Sequence, residues 1–425
     1  MTQRSQTPAP APLGLKKSFG FGDRLGLATP GHLESSRKFD FAPIFAQQSI
    51  REMQRTNRTP EEVMSAARDA LASAGFTGAW GADADHLKTP EDVRRTAAAG
   101  FCFFTIDPSA YVNNGADKMG AAELKSAVDA MVADGTFDGP GWEAEYLSRS
   151  YEVDESDLPL RFLYSPLRRA AVKYGRAVAH SAALAREIDA ACAGRAYEIE
   201  VSVDETDSPT SPLEHLFFAL ELKRRGVRNV VSLAPRFVGD MEKGIDYRGD
   251  LAAFERSLRQ HVAVAKFAGP YKISVHSGSD KFSIYPIVGR VCGDLLHVKT
   301  AGTSYLEALR VVVRRDATLF GEIAAFCHGR FSTDRASYHI STTDADVERL
   351  PRGGTATELE GPYLDEVPGR QLMHVTFGSV LTQGRRDDGQ AFKDAIVEAL
   401  RANNDLHREV LVRHFDKHLS LLNAG

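Results

Sequence analysis

Cysteine is scarce, and its placement suggests no shared chemistry. Cys102, Cys192, Cys292 and Cys327 are the four in 425 residues, widely separated and without a CxxC pair. That spacing argues against a disulfide framework and against a cysteine zinc site. Charge of one sign is also lacking. With 52 Lys and Arg against 57 Asp and Glu, a net charge of -5 and both signs interspersed, the chain has no general reason to bind nucleic acid or an anionic membrane. Small solutes are the expected partners. No apolar run approaches a transmembrane span. Residues 1–15, rich in Thr, Pro, Ala and Gln, have no apolar core of signal-peptide length, so they read as a disordered arm and the product is expected in the cytoplasm.

What the chain does have is a repeated pattern. In residues 78–88 (GAWGADADHLK), 101–109 (FCFFTIDPS), 197–210 (YEIEVSVDETDSPT), 271–282 (YKISVHSGSDKF) and 295–305 (LLHVKTAGTSY), an apolar run of β type ends in acids, histidines, lysines or small hydroxyl residues. Chemistry placed repeatedly at strand ends, with helix-like sequence between, is what the rim of a parallel α/β barrel requires. At 43% hydrophobic, a chain of this length can bury a large core.

The punctuation supports alternation. Thr59, Pro60, Glu61 and Glu62 open one helix, running to about Ala74, and Thr89, Pro90, Glu91 and Asp92 open another, each followed by a strand-like run. Residues 116–195 read as an almost wholly helical excursion. The rhythm then resumes with strands at 197–203, 230–234, 272–275 and 295–298. Adding 24–28, 39–45, 337–341 and 371–377 gives roughly ten strand candidates for eight places. Residues 349–368 read as an irregular loop before a final helix from about Gln390. The expected fold is a TIM-type (β/α)8 barrel with a helical insertion and C-terminal additions, one catalytic domain over residues 16–425.

Imidazole and carboxylate gathered from separate strand ends favour a divalent metal, zinc first, with manganese or nickel as alternatives, and leave room for substrate. His86, His276 and His297 are the expected ligands, with Glu205 as a fourth ligand or a base. Asp85 and Asp107 are acid–base candidates. Lys299, Lys281 and Lys88 could neutralise an anionic substrate, and Ser277 with Ser279 could line an anion-binding turn. Gly20, Gly22 and Gly26 in FGFGDRLG imitate a dinucleotide loop, but the third glycine is one place late and no βαβ unit encloses it. His414 and His418 share a helix face without the glutamate of a zincin and read as part of a solvated helix, while His215 reads as structural.

The segments KSFGFGDRLGLATPGH, WGADADHLK, FTIDPS, VDETDSPTSPLEHLFFALELKRRGV, HSGSDKFSIYP and HVKTAGTSYLEALR together resemble the tagaturonate epimerase family, also called hexuronate C4-epimerases, from about residue 16 to 384. The resemblance implies a metal-dependent interconversion of D-tagaturonate and D-fructuronate in hexuronate catabolism. Asp85 with His86 is also similar to the Asp-His pair of class II aldolases, and HSGS to their HGGS segment, whose histidine binds zinc. The inverted carbon is β to the ketone, so its hydrogen lacks direct carbonyl activation. Retro-aldol cleavage and re-addition is therefore the expected route, with Asp85 carrying the proton. Alternatives are an aldolase-like enzyme or epimerase of another ketose or sugar phosphate, an NAD-assisted epimerase, and a silent sugar-acid binding protein.

Overall fold

A computed structural model describes residues 7–139, 141–153 and 159–425. Eight strands carry the centre: β1 (Ser18–Gly22), β2 (Ala42–Ser49), β3 (Gly81–Leu87), β4 (Phe103–Ile106), β5 (Glu198–Val203), β6 (Val230–Pro235), β7 (Lys272–Val275) and β8 (Leu296–Thr300). All pair in parallel, in sequence order, and β1 closes on β8, which makes the TIM-type barrel expected from the strand ends. The helix openings behave as read. Thr59 and Thr89 each cap a helix through a reciprocal bond with the acid three residues on, and Ser211 does the same with Glu214.

Five of the ten strand candidates need correction, among them the run at 76–82 after the first capped helix, whose strand lies further on, as β3. Residues 24–28 are a turn, because the Asp23 carboxylate accepts from the amides of Leu25, Gly26 and Ala28. The first strand lies instead in the glycine run. A Cβ at Gly20 would collide with the Gln47 side chain and one at Gly22 with the backbone around Thr300, so the glycines serve close approach inside a barrel wall and not phosphate binding. Residues 371–377 belong mainly to the helix Val367–Val375, opened by Pro368 in its first turn. Residues 337–341 leave a short 3₁₀ turn and run past the barrel mouth. The candidate at 39–45 is a strand shifted toward the C-terminus, as β2.

The excursion contains the 28-residue helix Tyr164–Ala191, and also an antiparallel pair, Ser150–Glu152 with Pro159–Arg161. Tyr151 is buried between exposed Ser150 and Glu152, the alternation of a half-buried strand. Within residues 349–368 the segment Ala356–Leu364 is helical, where an irregular loop was expected. Residues 305–410 hold a second apolar cluster of packed helices beside the barrel.

The expectation of a disordered arm over residues 1–15 is corrected for residues 7–15; residues 1–6 lie outside the described residues. Trp80 Nε1 donates to the Pro8 carbonyl at 2.8 Å, and Ala11 N to the Trp80 carbonyl at 2.9 Å. Leu13 is buried, and the Glu198 carboxylate, on the first residue of β5, accepts from the amides of Leu13 and Gly14. A buried carboxylate needs donors, and the arm supplies them. Among the described residues no helix is long and apolar enough to cross a membrane.

Candidate functional site

A cavity of about 350 Å³ opens where β2, β3, β5, β6, β7 and β8 end, on the face where barrel loops gather. Asp83 and Asp85 point inward along β3 by ordinary alternation. His86 should then face outward, but the β3–β4 register shifts between Ala84 and Leu87, and His86 adopts φ of +55°. This left-handed kink lets consecutive residues, Asp85 and His86, both line the cavity. His276 follows the end of β7 and meets them: one ligand atom from each of Asp85, His86 and His276 lies within 4.8 Å of the others.

Each histidine is held by a carboxylate through one ring nitrogen. His86 Nδ1 is 3.0 Å from Asp107 Oδ2, and His276 Nε2 is 2.6 Å from Glu200 Oε1. Such contacts fix the ring and its tautomer; the other nitrogen of His86 faces Asp85 at 3.8 Å, and that of His276 faces Ser202 Oγ at 3.4 Å and Asp204 at 3.6 Å. Burial acts to lower the His86 imidazole, but Asp85, Asp107 and Asp204 outweigh it and raise it to about 10. The surroundings are thus anionic enough to favour a cation.

Below the histidines, Lys299 joins three acids: Asp83 at 2.7 Å, Asp85 at 2.8 Å and Glu200 at 2.9 Å. One ammonium cannot satisfy three buried carboxylates equally. Burial pushes Asp83 up to about 7 despite Lys299, whereas Asp85, opposed by burial but drawn down by His86 and Lys299, stays below the usual carboxylate range. Lys299 itself is raised by the acids against the effect of burial. These are properties of a web, in which protons are shared.

Several expected site residues stand elsewhere. His297 lies a layer deeper, opposite Ser18 in the β1–β8 register, with Nδ1 2.9 Å from Ser18 Oγ, and it is not in the Asp85, His86 and His276 group. Strand alternation brings His297 and Lys299 inside, but at different heights. Lys281 is fully buried and donates to the carbonyls of Glu242, Ile245 and Ser279, so it ties the loop after β7 to the loop after β6 and does not face the cavity. Burial lowers it to about 7. Ser277 lines the cavity, while Ser279 is buried and accepts from Ala301 N at 3.3 Å. Asp107 stands behind His86, bonded also to Ser109 N and 3.2 Å from Lys88 Nζ, so both Asp107 and Lys88 back the imidazole and neither lines the cavity. Glu205 lines it, half-exposed and 3.1 Å from Arg51.

His414 and His418 are not on a solvated face. His418 is fully buried, accepts from Asp280 N at 3.0 Å through Nε2, and donates through Nδ1 to the His414 carbonyl, while His414 Nε2 is 3.2 Å from Asp280 Oδ1. The last helix, Asn404–Asn423, thereby pins the loop that carries His276. His215 is structural, as expected, buried between His261 and Tyr271.

The sequence reading missed the basic rim: Arg24, Arg51, Arg55, Arg236 and Lys243. One signal was present. Arg51 and Arg55 stand four residues apart in a helix, Ile50–Thr56, capped by Ser49 at the end of β2, which puts both on one face.

Buried neutral histidine gives a stability prediction. Burial lowers His297 to about 3 in the folded chain, below its ordinary value of 6.5, so between those values the unfolded chain binds more protons. Its contribution is complete above pH 6.5 and is lost as pH falls. Acidifying from pH 7 to 5 should remove about 2 kcal/mol through this group. Urea unfolding at both pH values should show a shallower dependence in His297→Asn than in wild type; equal slopes would remove His297 from the account.

A closed parallel barrel with a deep imidazole- and carboxylate-lined cavity at the carboxyl ends of its strands defines a barrel enzyme, and relatives place it among carbohydrate isomerases. The sequence matches the family described as UxaE, tagaturonate epimerase, over residues 3–422, and the chain belongs to that family. It is 42% identical over 414 residues to a tagaturonate/fructuronate epimerase of Thermotoga maritima, covering 97% of this chain and 82% of that protein. A native crystal structure of a fructuronate-tagaturonate epimerase from Cohnella laeviribosi superposes with a TM-score of 0.89 at 38% identity, over 97% of this chain and 83% of that one. A second crystal structure of that enzyme, with two glycerols, gives 0.91 at 37% identity, over 98% and 83%.

Proposed function

We propose that this enzyme interconverts D-tagaturonate and D-fructuronate by retro-aldol cleavage and re-addition at a bound divalent metal. The observation that carries the metal reading is the pair of imidazoles, each fixed by a carboxylate on one nitrogen, converging beside Asp85. His86 and His276 would hold the ion. Nitrogen and oxygen donors on a partly open site suit zinc first, then nickel or manganese. When bound, the metal supplies a Lewis acid at the substrate ketone, where negative charge gathers as the C–C bond opens.

The chain's own groups do the rest. Asp107 and Glu200 hold the two imidazole rings. Asp85, 2.8 Å from the Lys299 ammonium, takes the proton from the hydroxyl on the carbon to be inverted. The bond to the carbon beside the ketone then breaks, leaving an enediolate and an aldehyde. The aldehyde turns its other face, the bond re-forms, and Asp85 returns the proton to the new alkoxide. A cavity of about 350 Å³ accepts a six-carbon acid and gives the aldehyde room to turn.

Heavy water tests the route. The hydrogen on the inverted carbon is never removed in this mechanism, so NMR of the product should show protium there. Deuterium would indicate deprotonation of that carbon instead. Hydride transfer would also retain the hydrogen, but stoichiometric NAD released from active protein on denaturation would reveal it.

A further inference from the structure

Six basic side chains border the cavity, and three have acids of their own. Lys299 is ringed by Asp83, Asp85 and Glu200; Arg51 pairs with Glu205 at 3.1 Å; Arg24 pairs with Glu52 at 2.8 Å and covers the Phe377 ring. Arg55 is held by the hydroxyls of Tyr338 and Ser337, and Arg236 by the Thr206 carbonyl. Lys243 donates to Ser277 Oγ and, among the described residues, has no carboxylate within ion-pair distance. Ser277 directly follows His276 and has φ of +52°, so this unpaired ammonium stands beside the proposed metal position on a fixed turn.

We propose that Lys243, with Ser277, is the anchor for the substrate carboxylate, the role first expected of Lys299. The inference rests on the hexuronate reading above. Lys299 cannot serve, because its charge is already surrounded by three acids and a further anion would add to their repulsion. Lys243 can take an anion with no acid to displace. It sits on the loop after β6, which the bonds from Lys281 to the Glu242 and Ile245 carbonyls hold against the loop after β7, so its position is set by the scaffold.

The anchor has a particular use in a retro-aldol inversion. Cleavage splits the six-carbon acid into two three-carbon halves. The ketone half keeps the bonding electrons as an enediolate, and the aldehyde half carries the carboxylate. Only the second half must turn, and only its carboxylate end can be held while it does. If it escapes, the enediolate regains a proton from Asp85, and dihydroxyacetone and 2-hydroxy-3-oxopropanoate are released, which together account for every atom of the substrate.

The test compares D-tagaturonate with D-tagatose, in which a hydroxymethyl group replaces the carboxylate, as substrates and as competitors. In Lys243→Met, KM for tagaturonate should rise tenfold or more, while the response to tagatose stays within twofold of wild type. Dihydroxyacetone should accumulate during turnover. Lys243→Arg should recover most of the affinity for the acid and suppress the leak, which excludes a folding defect as the cause. An unchanged KM for tagaturonate in Lys243→Met, or equal losses on acid and ketose, would overturn the anchor. Failure of the wild type to turn over tagaturonate would instead count against the substrate reading, and deuterium at the inverted carbon against cleavage.

Discussion

Stripping the protein with a chelator is expected to reduce epimerisation by at least a thousandfold, and adding back zinc, nickel or manganese to restore it. The magnitude follows from the charge that must be stabilised when the C–C bond opens: losing one strong electrostatic stabiliser of such a centre costs roughly 10²–10³ in rate, and a metal centre supplies more than one hydrogen-bond donor does. Ligand variants localise the effect. His86→Ala and His276→Ala should each lower metal content in purified protein, whereas His297→Asn should not, since His297 stands a layer deeper and faces Ser18. Full turnover in protein shown by elemental analysis to be metal-free would end this reading. Normal occupancy in either alanine variant would remove that histidine from the site.

Asp85→Asn is expected to suppress turnover by about 10²–10⁴ while leaving metal content near wild type, because the amide keeps the shape of the side chain but cannot carry a proton. The two readouts must be taken together, since Asp85 stands close enough to both imidazoles to be a ligand itself. Loss of metal in Asp85→Asn would reassign it to the ligand set and leave Glu205 or Asp204, which also line the cavity, as proton carriers. Asp107→Asn offers a contrast. Its carboxylate orients His86 and does not reach the cavity, so its effect should appear in metal affinity, by roughly 10–100-fold, before it appears in the chemical step.

Strand ends were the legible part of this sequence. Acids and histidines closing apolar runs at Asp85, His86 and His276 identified both the barrel and its working face, because a parallel barrel puts function where strands stop. The height of a residue within the barrel was not legible. His297 and Lys299 are two apart on one strand and therefore share a face, yet one is buried against Ser18 and the other reaches the cavity; only the register with β1 and β7 tells them apart. Nor was the destination of a long basic side chain. Lys281 sits among strand-end residues but turns back into backbone carbonyls, while Lys243, on a loop with no strand signature, reaches the wall of the site. The glycines of FGFG imitate a dinucleotide loop and carry no strand signal, because glycine weakens a strand. Here the crowding of Gln47 and Thr300 makes them necessary to one.

The lysine seated among Asp83, Asp85 and Glu200 also constrains how such an enzyme can change over generations. Replacing Lys299 alone leaves three buried acids without the cation they share, and replacing one acid alone shifts the protons of the other two. Neighbours coupled this tightly do not vary independently. Lineages that alter the floor of this barrel are expected to do so by paired substitutions, whereas Lys243 at the rim, its ammonium joined to its surroundings by one hydroxyl and without an acid of its own, can change singly. New substrate preferences should therefore arise at the mouth of the cavity and leave the reaction itself unchanged.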